Sequence, residues 1–238
     1  RRWRVWHPGA QHAPGVELEL DREQAHHVLQ VLRLEPGTTI SVFDGVGREW
    51  EATIRSADRA GVVVRLESEL THPVEPAVAV VLYQALCRAE RVEWAVQKAT
   101  ELGVAAVRLW PAERSGVPRP DPRRLERWRR IAVEACKQSG RRRLPPVEAV
   151  DGLPPAAGPA WLLDPDPQAP RLGARLPASA PREVWVGVGP EAGLSAPELA
   201  RARQEGWEPA GLGPRVLRTE TAGVVAVALV LQRYGDLG

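Results

Sequence analysis

The sequence predicts an α/β protein: a mainly parallel sheet with helices over the C-terminal two-thirds, preceded by a small β-barrel unit. Three observations predict it. From residue 77, runs of strand length alternate with helical patterns, as in "AVAVVLYQAL" (77–86), "AERVEWAVQKATELG" (89–103) and "VAAVRLWP" (104–111). These strands are continuous apolar runs, the pattern of strands buried on both faces of a parallel sheet. Before residue 70, short runs of roughly alternating apolar and polar residues are punctuated by Gly45, Gly47 and Gly61, the pattern of short strands closed by glycine turns.

The N-terminal elements follow in order. "DREQAHHVLQVLRLEPG" (21–37) predicts a helix with Asp21 as its N-cap and Gly37 beyond its end. "TTISVFDG" (38–45), "REWEATIRSA" (48–57) and "AGVVVRLESE" (60–69) predict strands. "THPVEPA" (71–77) carries two prolines and reads as a linker, dividing a domain of residues 1–71 from one of residues 72–238.

In the second domain, Val92, Ala95, Val96, Ala99 and Leu102 share one face of the first helix, with Gly103 as its C-cap. A Pro-rich loop opens a basic amphipathic helix in "PRPDPRRLERWRRIAVEACKQSGRRR" (118–143). "PAWLLDPD" (159–166) and "REVWVGVGP" (182–190) are further strands. "SAPELARARQEG" (195–206) is a helix with Ser195 as N-cap and Pro197 in its first turn. "EPAGLGPRVL" (208–217) is a last short strand and loop, and "RTETAGVVAVALVLQRYG" (218–235) is a closing helix, apolar nearly all round.

Composition narrows the function classes. The chain has 238 residues, 44% hydrophobic and 26% charged, with a net charge of +2, which predicts a soluble globular protein. The longest apolar stretch, "AGVVAVALVLQRY", is too short to span a bilayer. "RRWRVWHPGAQ" is basic without an apolar core, so no signal peptide is expected. Cys87 and Cys136 lack metal-type spacing, and a cytoplasmic setting is expected. The basic charge is nearly all arginine, with lysine only at Lys98 and Lys137. Arginine suits phosphate contact and base stacking, although a GC-rich genome and thermal adaptation give the same bias.

Three loops lie at the C-terminal ends of predicted strands, the edge where open α/β sheets bind ligands: "LLDPD" (162–166), "GVGPEAG" (187–193) and "LGPRVLRTETA" (212–222). A dinucleotide is the first ligand to consider. However, Gly187, Gly189 and Gly193 are one residue too widely spaced for the dinucleotide fingerprint, and Pro190 occupies the turn. Gly-Pro turns leave backbone N–H and C=O groups unpaired, which suits an adenosine, needing donors and acceptors at close range. They are equally the tight turns of a Pro-rich chain. In "RVLRTETA", Thr219 or Thr221 is a candidate N-cap and Glu220 favours the helix dipole. Arg218 is different: a cation at a helix start is unfavourable, so a partner or ligand is expected there.

At "GPEAGLS" and "LGPRVLRTETA" the chain resembles the RsmE family of SPOUT-class RNA methyltransferases. The resemblance extends through "HHVLQVLRLEPGTTISVFDGVGREWEATI", "RVEWAVQKATELGV", "PAERS" and "RWRRIAVEACKQSGR". Ala192 departs from it, since the family more often has a second glycine there. The resemblance implies S-adenosyl-L-methionine as methyl donor, N3 of a uridine in 16S ribosomal RNA as acceptor, and S-adenosyl-L-homocysteine as product. It also implies a PUA-like barrel for RNA, a C-terminal deep trefoil knot and a homodimer acting on 16S RNA or the small ribosomal subunit. On this basis the cofactor-binding candidates are Leu162, Leu163, Asp164, Gly187, Val188, Gly189, Pro190, Glu191, Gly193, Leu212, Gly213, Val216, Leu217, Arg218, Thr219, Thr221 and Ala222.

Uridine N3 is a poor nucleophile until its proton leaves, and the deprotonated base spreads negative charge onto O2 and O4. A base near N3 and a cation near the oxygens are therefore needed. Glu220 and Glu191 are candidate bases, and Arg218 or Arg215 candidate cations. Cys136 falls on the apolar face of its helix, and the adjacent His26 and His27 point apart, so neither suggests a metal site. The candidate RNA contacts are Arg1, Arg2, Arg4, Arg33, Arg114, Ser115, Arg141, Arg142 and Arg143, each of which is otherwise a solvated surface group. The competing functions are a SPOUT enzyme acting on a transfer-RNA ribose 2′-hydroxyl and a non-catalytic RNA-binding dimer.

Overall fold

The computed structural model describes residues 3–9, 12–235 and 237, and its contacts divide the chain into two compact units. The first comprises residues 1–75 with Cys136–Leu144, the second residues 76–135 with 145–238. The segment Cys136–Leu144, read from sequence as part of the second domain, thus belongs by contact to the first.

Five strands form the sheet of the first unit: β1 (Arg4–Trp6), β2 (Glu17–Glu19), β3 (Thr39–Phe43), β4 (Glu49–Asp58) and β5 (Gly61–Glu69), in the order β1-β3-β4-β5-β2. β1 runs parallel to β3, and the remaining pairings are antiparallel. Alternation sends Ile40, Val42, Trp50, Ala52, Ile54, Val62, Val64 and Leu66 into one core. The predicted helix is shorter and changes pitch. Asp21 caps it as expected, its carboxylate accepting from Gln24 N at 2.8 Å, but α1 spans only Arg22–His26 and continues as a π-helical segment, His27–Leu32. The end is set by Arg33, which takes a left-handed conformation at φ 53°, while Leu34 N reaches back to Val28 O. Gly37 therefore serves the following turn, not the helix end.

A buried polar network holds the returning segment to this unit. Glu49 accepts from Arg4 Nε at 2.8 Å, Ser41 Oγ at 2.7 Å and Arg142 Nε at 3.0 Å. Glu75 accepts from Arg141 and from the backbone N–H groups of Arg142 and Arg143. Burial alone would raise the Glu49 carboxyl, but its hydrogen bonds and charge contacts, those from Arg4 foremost, outweigh burial and hold it below the usual carboxylate range.

The second unit is a six-stranded sheet in which every pairing among the described residues is parallel, in line with the continuous apolar runs. Its strands are β6 (Ala79–Ala85), β7 (Ala106–Trp110), β8 (Val147–Ala149), β9 (Ala160–Leu163), β10 (Glu183–Val188) and β11 (Glu208–Ala210), in the order β11-β9-β10-β6-β7-β8. The helices are α2 (Ala89–Leu102), α3 (Pro122–Ser139, whose last turn from Cys136 counts with the first unit), α4 (Leu172–Arg175), α5 (Ala196–Gln204) and α6 (Thr219–Tyr234). In α2, Val92, Ala95, Val96 and Ala99 are buried, and Gly103 caps the helix at φ 112°. Ser195 and Glu198 form a complete capping box on α5. β8 and α4 have three and four residues, too few for a periodic signal. Among the described residues no helix is long and apolar enough to cross a membrane.

Candidate functional site

Strands β9, β10 and β11 end side by side, and the loops that leave them enclose a cavity of about 640 Å³. Such a volume lies within the range of small-molecule and cofactor sites. Backbone hydrogen bonds tie the first and third loops together: Asp164 N to Ala210 O at 2.9 Å, Gly211 N to Pro170 O at 2.8 Å and Leu172 N to Gly211 O at 2.9 Å. The Asp164 carboxylate closes the first loop by accepting from Asp166 N.

The second loop is gripped from several sides. Within it, Gly193 N bonds to Pro190 O, a turn that sets Gly193 at φ 71°. The Thr219 hydroxyl donates to Gly189 O at 2.7 Å and accepts from Gln84 Nε2 at 2.7 Å. Glu113 N donates to Glu198, and Arg114 makes long contacts with the carbonyls of Ala192 and Leu194. Thr219 is thus a bridge between β6, α6 and the loop. The residue in the N-cap position of α6 is Arg218, and it supplies no side-chain cap, so neither threonine takes the capping role read from sequence.

Of the predicted cofactor residues, Leu162, Leu163, Asp164, Val188, Gly189, Pro190, Glu191, Gly193, Leu212, Gly213, Val216, Leu217, Arg218, Thr219 and Ala222 line the cavity. Gly187 and Thr221 do not. A Cβ on Gly187 would come within 3.0 Å of both Leu162 and Trp207, so this glycine serves close packing behind the cavity wall. Leu194, Leu199, Arg203, Trp207, Pro165 and Pro209 line the cavity too. Pro165 and Leu194 fall inside quoted motifs without being singled out there, and the other four sit between the loops, where the pattern read only helix, strand and loop.

The charged groups fall into two sets. Arg215 and Arg218 are exposed and line the cavity, and their guanidinium groups have no hydrogen-bond or ion-pair partner among the described residues. Arg218 therefore keeps an unpaired cation at the start of α6, where the helix dipole disfavours it. Glu191 and Glu220 instead converge on Arg91 of α2: Nη1 pairs with Glu191 Oε1, and Nε lies 3.8 Å from Glu220 Oε1. Glu220 is buried, does not line the cavity, and its Oε2 has no hydrogen-bond partner. Burial, with the Glu220 carboxylate second, pushes the neighbouring Cys87 thiol up to about 11, and burial pushes Cys136 up to about 12; both stay protonated near neutrality.

The candidate phosphate contacts separate by burial. Arg4, Arg141 and Arg142 are corrected: their side chains are spent on Glu49 and Glu75 inside the first unit, because a buried guanidinium requires an internal carboxylate. The Ser115 hydroxyl accepts from Ala112 N within a turn. Arg33, Arg114 and Arg143 are exposed, and Arg1 and Arg2 lie outside the described residues. Arg91 and Gln84 were missed. Gln84 had a signal, being the one amide in the apolar run 77–86; Arg91 had none, since its partners are 100 or more residues away in sequence.

Comparison with known proteins agrees with this geometry. A family model described as the RNA methyltransferase domain matches residues 74–231, and one described as the RNA methyltransferase PUA domain matches residues 20–67. The chain is 36% identical over 230 residues to the ribosomal RNA small subunit methyltransferase E of Mycobacterium bovis, covering 91% of this chain and 86% of that protein. With the protein of the same name from Synechocystis it shares 35% identity over 219 residues, 89% of this chain and 71% of that one. The crystal structure of the Neisseria gonorrhoeae protein of that name, bound to S-adenosyl methionine, superposes over 100% of both chains with a TM-score of 0.92 at 29% identity. A Legionella pneumophila structure in complex with bound SAM does so with a TM-score of 0.91 at 34% identity.

Proposed function

We propose, since this chain belongs to the ribosomal RNA small subunit methyltransferase E family, that it transfers the methyl group of S-adenosyl-L-methionine to N3 of a uridine in 16S ribosomal RNA. The observation that carries the proposal is the cavity itself: three loops at the sheet edge, with unpaired cations at the mouth. Its residues fit the cofactor. Leu162, Val188, Leu194, Leu199 and Leu217 offer apolar walls for an adenine, backbone groups offer both donors and acceptors, and Asp164 offers an anion. A free phosphate would call for a donor-only cradle instead.

The bound cofactor supplies an electrophilic methyl on a sulfonium centre. The acceptor must lose its N3 proton while N3 bonds to that methyl, leaving S-adenosyl-L-homocysteine. Arg218, unpaired and at the cavity mouth, is suited to face the uracil oxygens as they gain charge. Glu191, which lines the cavity, and Glu220, buried behind it at the start of α6, are the two candidate proton acceptors. The loop residues named above position the cofactor.

The strand order β11-β9-β10-β6, with α6 returning to pack on β6 and β10, supports a trefoil-knotted path. The PUA-type unit is proposed as a β-barrel that binds RNA through exposed groups such as Arg33 and Arg143, with Arg114 a further exposed candidate on the second unit. Trp94 on α2 and Leu229 on α6 stay exposed, which supports a homodimer that covers them; a cytoplasmic setting goes with action on ribosomal RNA.

Calorimetry with S-adenosyl-L-methionine, S-adenosyl-L-homocysteine and NAD tests the cavity, and labelled methyl transfer to small-subunit RNA tests the activity. Micromolar binding of the first two with label entering the RNA is expected. Binding of NAD alone revives the dinucleotide, and label entering only transfer RNA favours the ribose-methylating alternative.

A further inference from the structure

Beyond the cavity walls, one side chain is shared between two groups that the reaction needs separately. Arg91 projects from the first turn of α2 with its side chain four-fifths buried, between Glu191 of the second loop and Glu220 at the start of α6. Both carboxylates contact it as ion pairs. Glu191, half exposed, pairs with Nη1. Glu220 lies 3.8 Å from Nε, beyond hydrogen-bond range. Arg91 Nη1 and Glu220 Oε2 are both buried without a hydrogen-bond partner.

The start of α6 therefore grips the second loop twice. Thr219 binds Gly189 O directly, and Glu220 acts on Glu191 through Arg91. On α6 the two grips are adjacent in sequence, and on the loop they lie two residues apart.

We propose that Arg91 is a positioning residue whose guanidinium, shared by Glu191 and Glu220, holds the loop 189–193 in place at the cofactor cavity from the start of α6. The inference rests on the methyl-transfer reading above. It assigns Arg91 no contact with substrate: Arg91 holds the loop through Glu191, and Glu220 holds Arg91.

The test uses the full chain with Arg91→Gln, Arg91→Lys, Glu191→Gln and the double variant Arg91→Gln/Glu191→Gln. Three readouts are taken: amide hydrogen exchange of residues 191–194 without cofactor, S-adenosyl-L-methionine affinity by calorimetry, and single-turnover methyl transfer at saturating cofactor. Arg91→Gln is expected to speed exchange and weaken cofactor binding, each roughly tenfold, between the scale of an exposed ion pair and that of a buried one. Glu191→Gln should reproduce both effects, and the double variant should be no worse than Arg91→Gln, since both remove one link. Transfer at saturating cofactor should fall less than cofactor affinity in Arg91→Gln, because the residue acts through the loop. Arg91→Lys, whose compact ammonium serves one carboxylate, should restore loop protection only in part. Additive effects on exchange in the double variant, or wild-type exchange and affinity in Arg91→Gln, would overturn the proposal. Failure of the wild-type chain to methylate RNA counts against the proposed function; the exchange readout still decides the latch.

Discussion

Thr219→Val isolates the grip of α6 on the cofactor loop. Valine matches threonine in shape, so the change removes two hydrogen bonds and little packing. The Thr219 hydroxyl is buried between Gly189 O and Gln84 Nε2, each at 2.7 Å. Losing a hydrogen bond costs about 1 kcal/mol net, and leaving a buried partner unsatisfied costs about 1–3 kcal/mol. Both partners have partial relief: Gln84 Nε2 keeps a weak bond to Ala85 O at 3.3 Å, and Gly189 is half-buried, within reach of water. The expected destabilisation is therefore toward the lower end, about 2 kcal/mol, read as a fall in urea midpoint at unchanged slope for the second unit. Thr219→Ser, which keeps the hydroxyl, should recover most of it, and Thr219→Val should also weaken cofactor binding by freeing the loop. A Thr219→Val protein within about 0.5 kcal/mol of wild type, the range of an ordinary surface change, would refute the bridging role.

Arg218→Ala should leave cofactor affinity within a few fold and lower the methyl-transfer rate by roughly 10²-fold, the scale of one lost charge-stabilising donor; lost affinity with turnover kept at saturating cofactor would make Arg218 a clamp on the loop. Glu49→Gln should destabilise the first unit by about 3–5 kcal/mol, because Arg4 and Arg142 keep buried charges without a counter-ion, measurable by denaturant unfolding. The Glu49 carboxyl is held below its ordinary value, so its contribution is full above that value and is lost as pH falls through the depressed one. Wild type should therefore lose stability on acidification below the ordinary carboxylate range, and Glu49→Gln should lose less. Gly187→Ala should perturb packing through Leu162 and Trp207, each 3.0 Å from the added carbon, lowering the melting temperature more than it changes cofactor contacts. Light scattering at micromolar concentration should report a dimer, and a substitution Leu229→Glu should weaken it.

The parallel sheet was legible because buried strands read as unbroken apolar runs, and the three loops because an Asp-Pro and two Gly-Pro turns mark where such strands stop. Caps with local partners were legible as well: Asp21, Ser195 and Gly103 act within a few residues of themselves. Long-range polar partnerships were not. Arg4, Arg141 and Arg142 look in sequence like any basic run, and only the fold brings Glu49 and Glu75 to them. The π-helical segment escaped because "HHVLQVL" has ordinary helical composition, and no residue in it marks the wider turn. Arg91 shows the same limit at the site, reading as one polar position on an amphipathic helix until Glu191 and Glu220 are placed beside it.

Mass mapping of small-subunit ribosomal RNA after incubation with the protein and isotopically labelled S-adenosyl-L-methionine tests the central claim most directly. A single labelled methyl on one uridine, with the fragmentation of a base-methylated N3 nucleoside and loss of the signal in Arg218→Ala, is the predicted result. A label on a ribose 2′-hydroxyl, on another base, or no label despite tight cofactor binding would contradict it.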